Sequence, residues 1–129
     1  MSDRPIRLVL DTTAVLAFTR GSIHVGETLA EIVDNQSAAA LPVACLAEAH
    51  PDAVEPERLA ALVAHEATTV IASEAEQWQA LGHMYAMLGA FSAASAALIA
   101  VDLDCWVLTA QPDLYADVAG GNLSIAVED

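Results

Sequence analysis

The sequence predicts an α/β domain built on a parallel sheet covered by helices on both faces. Three observations carry that reading. Short aliphatic or β-branched runs bounded by polar residues recur at Ile6–Leu10, 38–43, 68–72 and 105–108, as strands buried on both faces do. Segments of helical character separate them, and strands alternating with helices argue a parallel sheet. Hydrophobic residues make up 56% of the chain, many of them alanine, which favours closely packed helices. At 129 residues the chain reads as one domain, 1–129. A domain of that size buries roughly two-thirds of its unfolded surface and needs no staples.

The elements follow in order. The run Ile6–Leu10 is the first strand, and it ends at Asp11-Thr12-Thr13, where Asp or Thr suits a helix N-cap. That helix continues over 14–19 and stops at Arg20-Gly21. A second helix starts near Ser22, with Ile23, Leu29, Ile32 and Val33 on one broad face. Residues 38–43 form the second strand, with Pro42 close to its exit. A helix follows from about Ala44 to His50, and Pro51 stops it. Pro56 suits the first turn of another helix, running to about His65. The third strand is 68–72. Ser73 and Glu76 have capping-box spacing, and the helix they open carries the stripe Trp78, Leu81, Tyr85 and Leu88 before Gly89 ends it. Residues 92–103 form the next helix, 105–108 the fourth strand, ending at Thr109, and 122–127 a fifth strand at a sheet edge.

Charge excludes several chemistries. The chain has 18 acidic residues against 4 arginines, no lysine, and a net charge of −14. Such a balance keeps a small protein soluble and repels polyanions, and no basic patch for nucleic acid is visible. Without lysine there is no P-loop and no pyridoxal phosphate Schiff base. Phosphoacceptor receivers and aspartate-nucleophile phosphatases also begin with a strand ending in Asp, but both need a lysine. The phosphatases also need a second acid where this chain has Thr13.

Cys45 and Cys105 form no CxxC and read as small buried apolar residues in a reducing compartment. Met-Ser-Asp-Arg-Pro runs straight into the first strand without a secretory pattern, so a cytoplasmic location is the expectation. Residues 77–101 carry no fixed charge and are long enough to span a bilayer. They contain Gln77, Gln79, His83, Ser92 and Ser95, break at Gly82 and Gly89, and have no flanking Lys or Arg. Two short buried helices are the expectation instead.

In open parallel sheets, sites form beyond the carboxyl ends of the strands. That rule selects Asp11, the stretch 42–48 and the residues after Thr109. Four segments in this order resemble those of a PIN domain, the metal-dependent nuclease fold that includes VapC-type toxins. They are Leu-Val-Leu-Asp-Thr-Thr-Ala-Val-Leu-Ala (8–17), Leu-Pro-Val-Ala-Cys-Leu-Ala-Glu-Ala (41–49), Phe-Ser-Ala-Ala-Ser-Ala-Ala-Leu-Ile-Ala (91–100) and Val-Leu-Thr-Ala-Gln-Pro-Asp-Leu-Tyr (107–115). The resemblance covers nearly the whole chain. It implies a three-layer α/β/α sandwich around a central, mostly parallel sheet of four to five strands.

The resemblance also implies a chemistry. Phosphodiester hydrolysis by this fold uses Mg²⁺ or Mn²⁺ to activate water and neutralise developing charge. These hard ions want carboxylate oxygens converging from several elements. By resemblance Asp11 takes the first place and Glu48 the second, and the Thr13 hydroxyl falls beside the metal. At two further places where the family has acids, this chain has Ser95 and Gln111. Asp113, two residues beyond Gln111, is the remaining candidate acid. Asp102 lies about 10 Å along the same helix face from Ser95 and does not replace it. Two carboxylates with neutral neighbours make a weak Mg²⁺ site.

The resemblance with these departures implies a domain of impaired metal chemistry that acts by binding a protein partner. That partner would be an antitoxin-like or DNA-binding product of a neighbouring gene, and such domains commonly form homodimers. A working Mg²⁺/Mn²⁺-dependent ribonuclease of VapC type, using Asp11, Glu48 and Asp113, is the rival reading. An acidic DNA mimic is a third, supported by charge alone. Blander roles stand beside these. Asp11 can serve as a helix cap and Glu48 as a solvated helix residue. His24, His50, His65 and His83 show no metal spacing. Trp78, Tyr85 and Trp106 read as core.

Overall fold

A computed structural model describes residues 4–129; residues 1–3, part of the N-terminal stretch read above as lacking a leader, lie outside the described residues. The strands are β1 (Ile6–Leu10), β2 (Ala38–Pro42), β3 (Thr68–Ile71), β4 (Trp106–Thr109) and β5 (Ser124–Ala126). They form one five-stranded sheet in the order β3-β2-β1-β4-β5, and every pair is parallel. The strands were legible because each is a short aliphatic or β-branched run, and the middle three of the sheet are covered on both sides. Pairing of Leu8 with Trp106, Val9 with Val107 and Leu10 with Leu108 brings Asp11 level with Thr109 at the carboxyl ends.

Alternation along β1 builds two cores. Leu8 and Leu10 face α1 (Thr12–Thr19), α2 (Ile23–Asp34) and α4 (Pro56–Val63), whose Val15, Leu29 and Leu62 are fully buried with them. Each such side chain stabilises the fold by roughly 1.5–3 kcal/mol through burial. Val9 faces the other way, toward α6 (Phe91–Leu103), with Val107, Tyr115, Val118 and Leu123. The short α3 (Val43–Ala49) feeds both cores, Ala49 one and Cys45 the other. Helix α6 is apolar all round, and its residues Ser92 to Ala100 are all buried. Its alanines Ala93, Ala96, Ala97 and Ala100 let the helix lie close on the sheet.

The sequence reading needs correction at α5 (Trp78–Leu88). It was expected to be a buried helix with an inward stripe. Instead it packs on the outside of α6, and Leu88 is its only buried residue. Trp78 is 69% exposed, Tyr85 48% and, back on the sheet, Trp106 54%, so none of the three is core. Tyr85 meets the exposed Phe91 at 6.1 Å between ring centroids. Helical period identified a face but not what covers it, and α5 reaches the core only through Leu88 and the partly buried Met84. Ile23 is likewise 71% exposed, because it sits on the first turn of α2, beyond the sheet.

Smaller corrections are local. The capping box before α5 is Glu74 with Gln77, one residue later than the expected Ser73 with Glu76, and it opens a 3₁₀ turn, Ala75–Gln77. Asp11 caps α1 directly, so that helix begins at Thr12 rather than Ala14. Cys45 is buried, but Cys105 is only partly so, and both are free thiols. Among the described residues no single helix is long and apolar enough to cross a membrane; α5 with its preceding turn and α6 meet at a bend of 120°.

Candidate functional site

A cleft of about 60 Å³ opens at the carboxyl ends of β1 and β4, lined by Asp11, Thr12, Thr13, Glu48, Ser92 and Gln111 among others. Asp11 is set there by the rigid end of the central strand, with its backbone still extended (φ −81°, ψ −179°). Its carboxylate is 3% exposed and heavily engaged. Oδ1 accepts the Ala14 amide at 3.0 Å and the Thr13 hydroxyl at 2.7 Å, and Oδ2 accepts the Tyr115 hydroxyl at 2.7 Å. The first of these is the N-cap bond, so capping and occupancy of the site are one arrangement.

The direction of the hydroxyls follows from their proton count. A carboxylate only accepts, so Thr13 spends its single proton on Asp11. The 3.2 Å contact between the Thr13 and Thr109 hydroxyls is therefore donated by Thr109. Thr13 also accepts the Ala110 amide at 2.8 Å, and Thr109 accepts the Gln111 amide at 2.9 Å. With one proton given and two lone pairs taken, the Thr13 hydroxyl is saturated. The same bonds pin the segment after β4 to the start of α1.

Glu48 reaches the cleft from α3, where it is otherwise exposed, and its Oε1 accepts the Ser92 hydroxyl at 2.7 Å. The Cys45 thiol below donates to the Ser92 carbonyl at 3.3 Å. Burial pushes that thiol up to about 12. Burial, with the Asp11 carboxylate beside it, also pushes the Tyr115 phenol well above its usual range, so both groups stay protonated at neutral pH. Thr12, a buried neutral hydroxyl at the cleft, lies against the Cys45 thiol.

The sequence-derived candidates divide. Asp11, Thr13, Glu48 and Gln111 come together at the cleft. Ser95 is buried one turn further along α6, outside the lining residues. Asp113 is exposed on the 3₁₀ turn Pro112–Tyr115 and also lies outside the lining. Asp102 is exposed and holds Gln77. Sequence reasoning missed Tyr115 and the Ser92–Glu48 bond. The signal available for Tyr115 was an aromatic hydroxyl in the polar stretch after Thr109. No arginine is among the residues that line the cleft. Arg58 pairs with Glu55 at 2.5 Å and lies against Gly21 beyond the far end of α1. A larger cavity of about 570 Å³ sits at the opposite end of the sheet, between Arg7, Asp104, Trp106 and Asn122, away from these groups.

These residues fit a divalent cation poorly. Mg²⁺ and Mn²⁺ demand near-octahedral oxygen coordination with several anionic ligands. Among the described residues no three His, Cys, Asp or Glu side chains gather at metal-binding spacing. Three of the four acceptor positions on Asp11 are already taken by protein donors, and one on Glu48 is too.

The fold has solved relatives. A chain in the crystal structure of VapBC2 from Rickettsia felis, bound to a DNA fragment from their promoter, superposes with a TM-score of 0.72 at 14% identity. The match covers 95% of this chain and 100% of that one. At that identity the likeness is one of fold, and the fold is the PIN-like three-layer arrangement of helices about a parallel sheet. No family model matches the sequence, and no curated protein matches it.

Proposed function

We propose that this chain is a PIN-like domain without effective metal chemistry that works by binding a protein partner. The observation that carries the reading is the state of Asp11, whose carboxylate is satisfied by Thr13, Ala14 and Tyr115 with one further acid nearby. A nuclease of this fold needs that carboxylate on a cation and needs company for it. Here Glu48 is the one acid beside it, and the other two places hold neutral side chains, Gln111 at the cleft and Ser95 outside it.

Two features support a protein partner. The structural relative is a two-component assembly on DNA. This chain also exposes Trp78, Tyr85, Met87 and Phe91 at one helical hairpin, and clustered exposed aromatics mark contact surfaces. With a net charge of −14, direct binding to DNA falls to the partner rather than to this chain. An antitoxin-like, DNA-binding partner meets that division of labour. A homodimer of this chain is compatible with it.

The test is cleavage of structured RNA in Mn²⁺, with Asp11→Asn as control. No cleavage by either protein is the expected result. Cleavage that disappears in Asp11→Asn overturns the reading and restores a ribonuclease built on Asp11 and Glu48. The partner half is tested by co-expression with the product of the adjacent gene and sizing of the purified complex. Co-elution that survives 0.5 M salt is not required of an acidic DNA mimic, whose binding weakens steeply as salt screens its charges.

A further inference from the structure

We infer that Tyr115 is a latch on the Asp11 site: its neutral hydroxyl occupies the carboxylate oxygen that a cation would need. The inference rests on the non-catalytic reading and deepens it, because it names the residue that keeps the carboxylate satisfied without metal.

A carboxylate that is 3% exposed must be paired or fully hydrogen-bonded. Oδ1 is provided for locally, by the amide and hydroxyl of the helix it caps. Oδ2 has no local donor. Its partner comes from 104 residues away, at 2.7 Å, from a tyrosine that is 1% exposed. The ring cannot swing aside, because it is packed in the core beside Val9, Val107, Val118 and Leu123. The turn that carries it is held as well. Gln111 is bonded to Thr109, Pro112 opens the 3₁₀ turn, and the Ala116 amide closes on Asp113. The donor is thus preorganised on Oδ2 by packing and not by a mobile loop.

A cation entering the cleft therefore has to share Oδ2 with a rigid, buried donor, with only Glu48 as a second acid. Replacing Gln111, which lines the cleft and is exposed, supplies a further acid without removing the latch. Removing the Tyr115 hydroxyl removes the latch without supplying an acid. The two effects separate by mutation.

The experiment uses the full chain and Mn²⁺ alone, followed by titration calorimetry and by paramagnetic broadening in NMR spectra. Gln111→Asp with Tyr115→Phe is expected to bind Mn²⁺ about tenfold or more tightly than Gln111→Asp, the worth of one hydrogen bond to a charged group. Adding Asp11→Asn should abolish the gain. Equal affinities overturn the latch even where RNA stays uncut. Asp11-dependent RNA cleavage by the unmodified protein overturns the underlying reading instead. Phe keeps the buried ring, and circular dichroism checks that each variant folds. The unmodified chain gives an independent check. Millimolar Mn²⁺ should leave the Asp11, Thr13 and Tyr115 resonances sharp, and selective broadening of those three overturns the latch without any variant.

Discussion

Replacing Tyr115 with phenylalanine removes one oxygen atom from the centre of the molecule and leaves the ring in place. That oxygen donates to Asp11 Oδ2 at 2.7 Å between groups 1% and 3% exposed, so water does not substitute for it freely. A hydrogen bond to a charged group contributes roughly 1.5–3 kcal/mol, and stranding its buried acceptor costs in the same range. Because Oδ1 keeps its own two donors, the loss should sit near the middle, about 2 kcal/mol, close to a thirtyfold shift in the folding equilibrium. Urea denaturation measures it, and the slope should not change, since the buried surface is nearly the same. A cycle with Asp11→Asn then isolates the pair. Asn keeps an oxygen for the capping bonds, and a coupling of about 1.5 kcal/mol between positions 11 and 115 is expected. A loss under about 0.5 kcal/mol, or a coupling indistinguishable from zero, refutes the claim that this bond holds the site together.

Three further outcomes follow from other parts of the fold. Stability should fall as pH rises through the window from 9 to about 12, because the unfolded Cys45 thiol ionises near 9.0 while the buried one holds its proton to about 12. The sign is that of a raised pKa: the contribution is intact below the unfolded value and lost at up to about 1.4 kcal/mol per pH unit above it. Urea midpoints across that range check it, and Cys45→Ala should flatten the slope between pH 9 and 10 and reduce it above, where Tyr115 adds the same sign. Trp78→Ser should change stability by less than about 0.5 kcal/mol, since the side chain is 69% exposed, whereas a core tryptophan would cost about 3–5 kcal/mol. Gly21→Ala should lower thermal stability by roughly 1–2 kcal/mol, because φ is +87° and the new Cβ would also push Arg58 Nη1 from 2.5 Å.

The site was half legible for a physical reason. Asp11 and Thr13 belong to one cap, and their bonds span two or three residues, so strand-end position and N-cap chemistry were enough to mark them. Glu48 was reachable through the order of strand and helix. Ser95 lies on a stretch of α6 that is buried from Ser92 to Ala100, and helical period cannot choose a direction where no polar face exists. Asp113 was favoured for its charge, yet the 3₁₀ turn sends it outward and brings Tyr115 in.

By itself, then, the sequence determined the order of strands and helices along the chain, the parallel sheet and the carboxylate at the end of its first strand. All of these depend on local periodicity and capping. The tertiary structure alone decided what that carboxylate touches. The bonds from Tyr115 to Asp11 and from Ser92 to Glu48 span 104 and 44 residues, and they exist because β4 pairs with β1 and α6 packs across the sheet. It also decided that α5 lies outside α6 with its aromatics in solvent, since an apolar stripe states a need for burial and cannot name what will meet it.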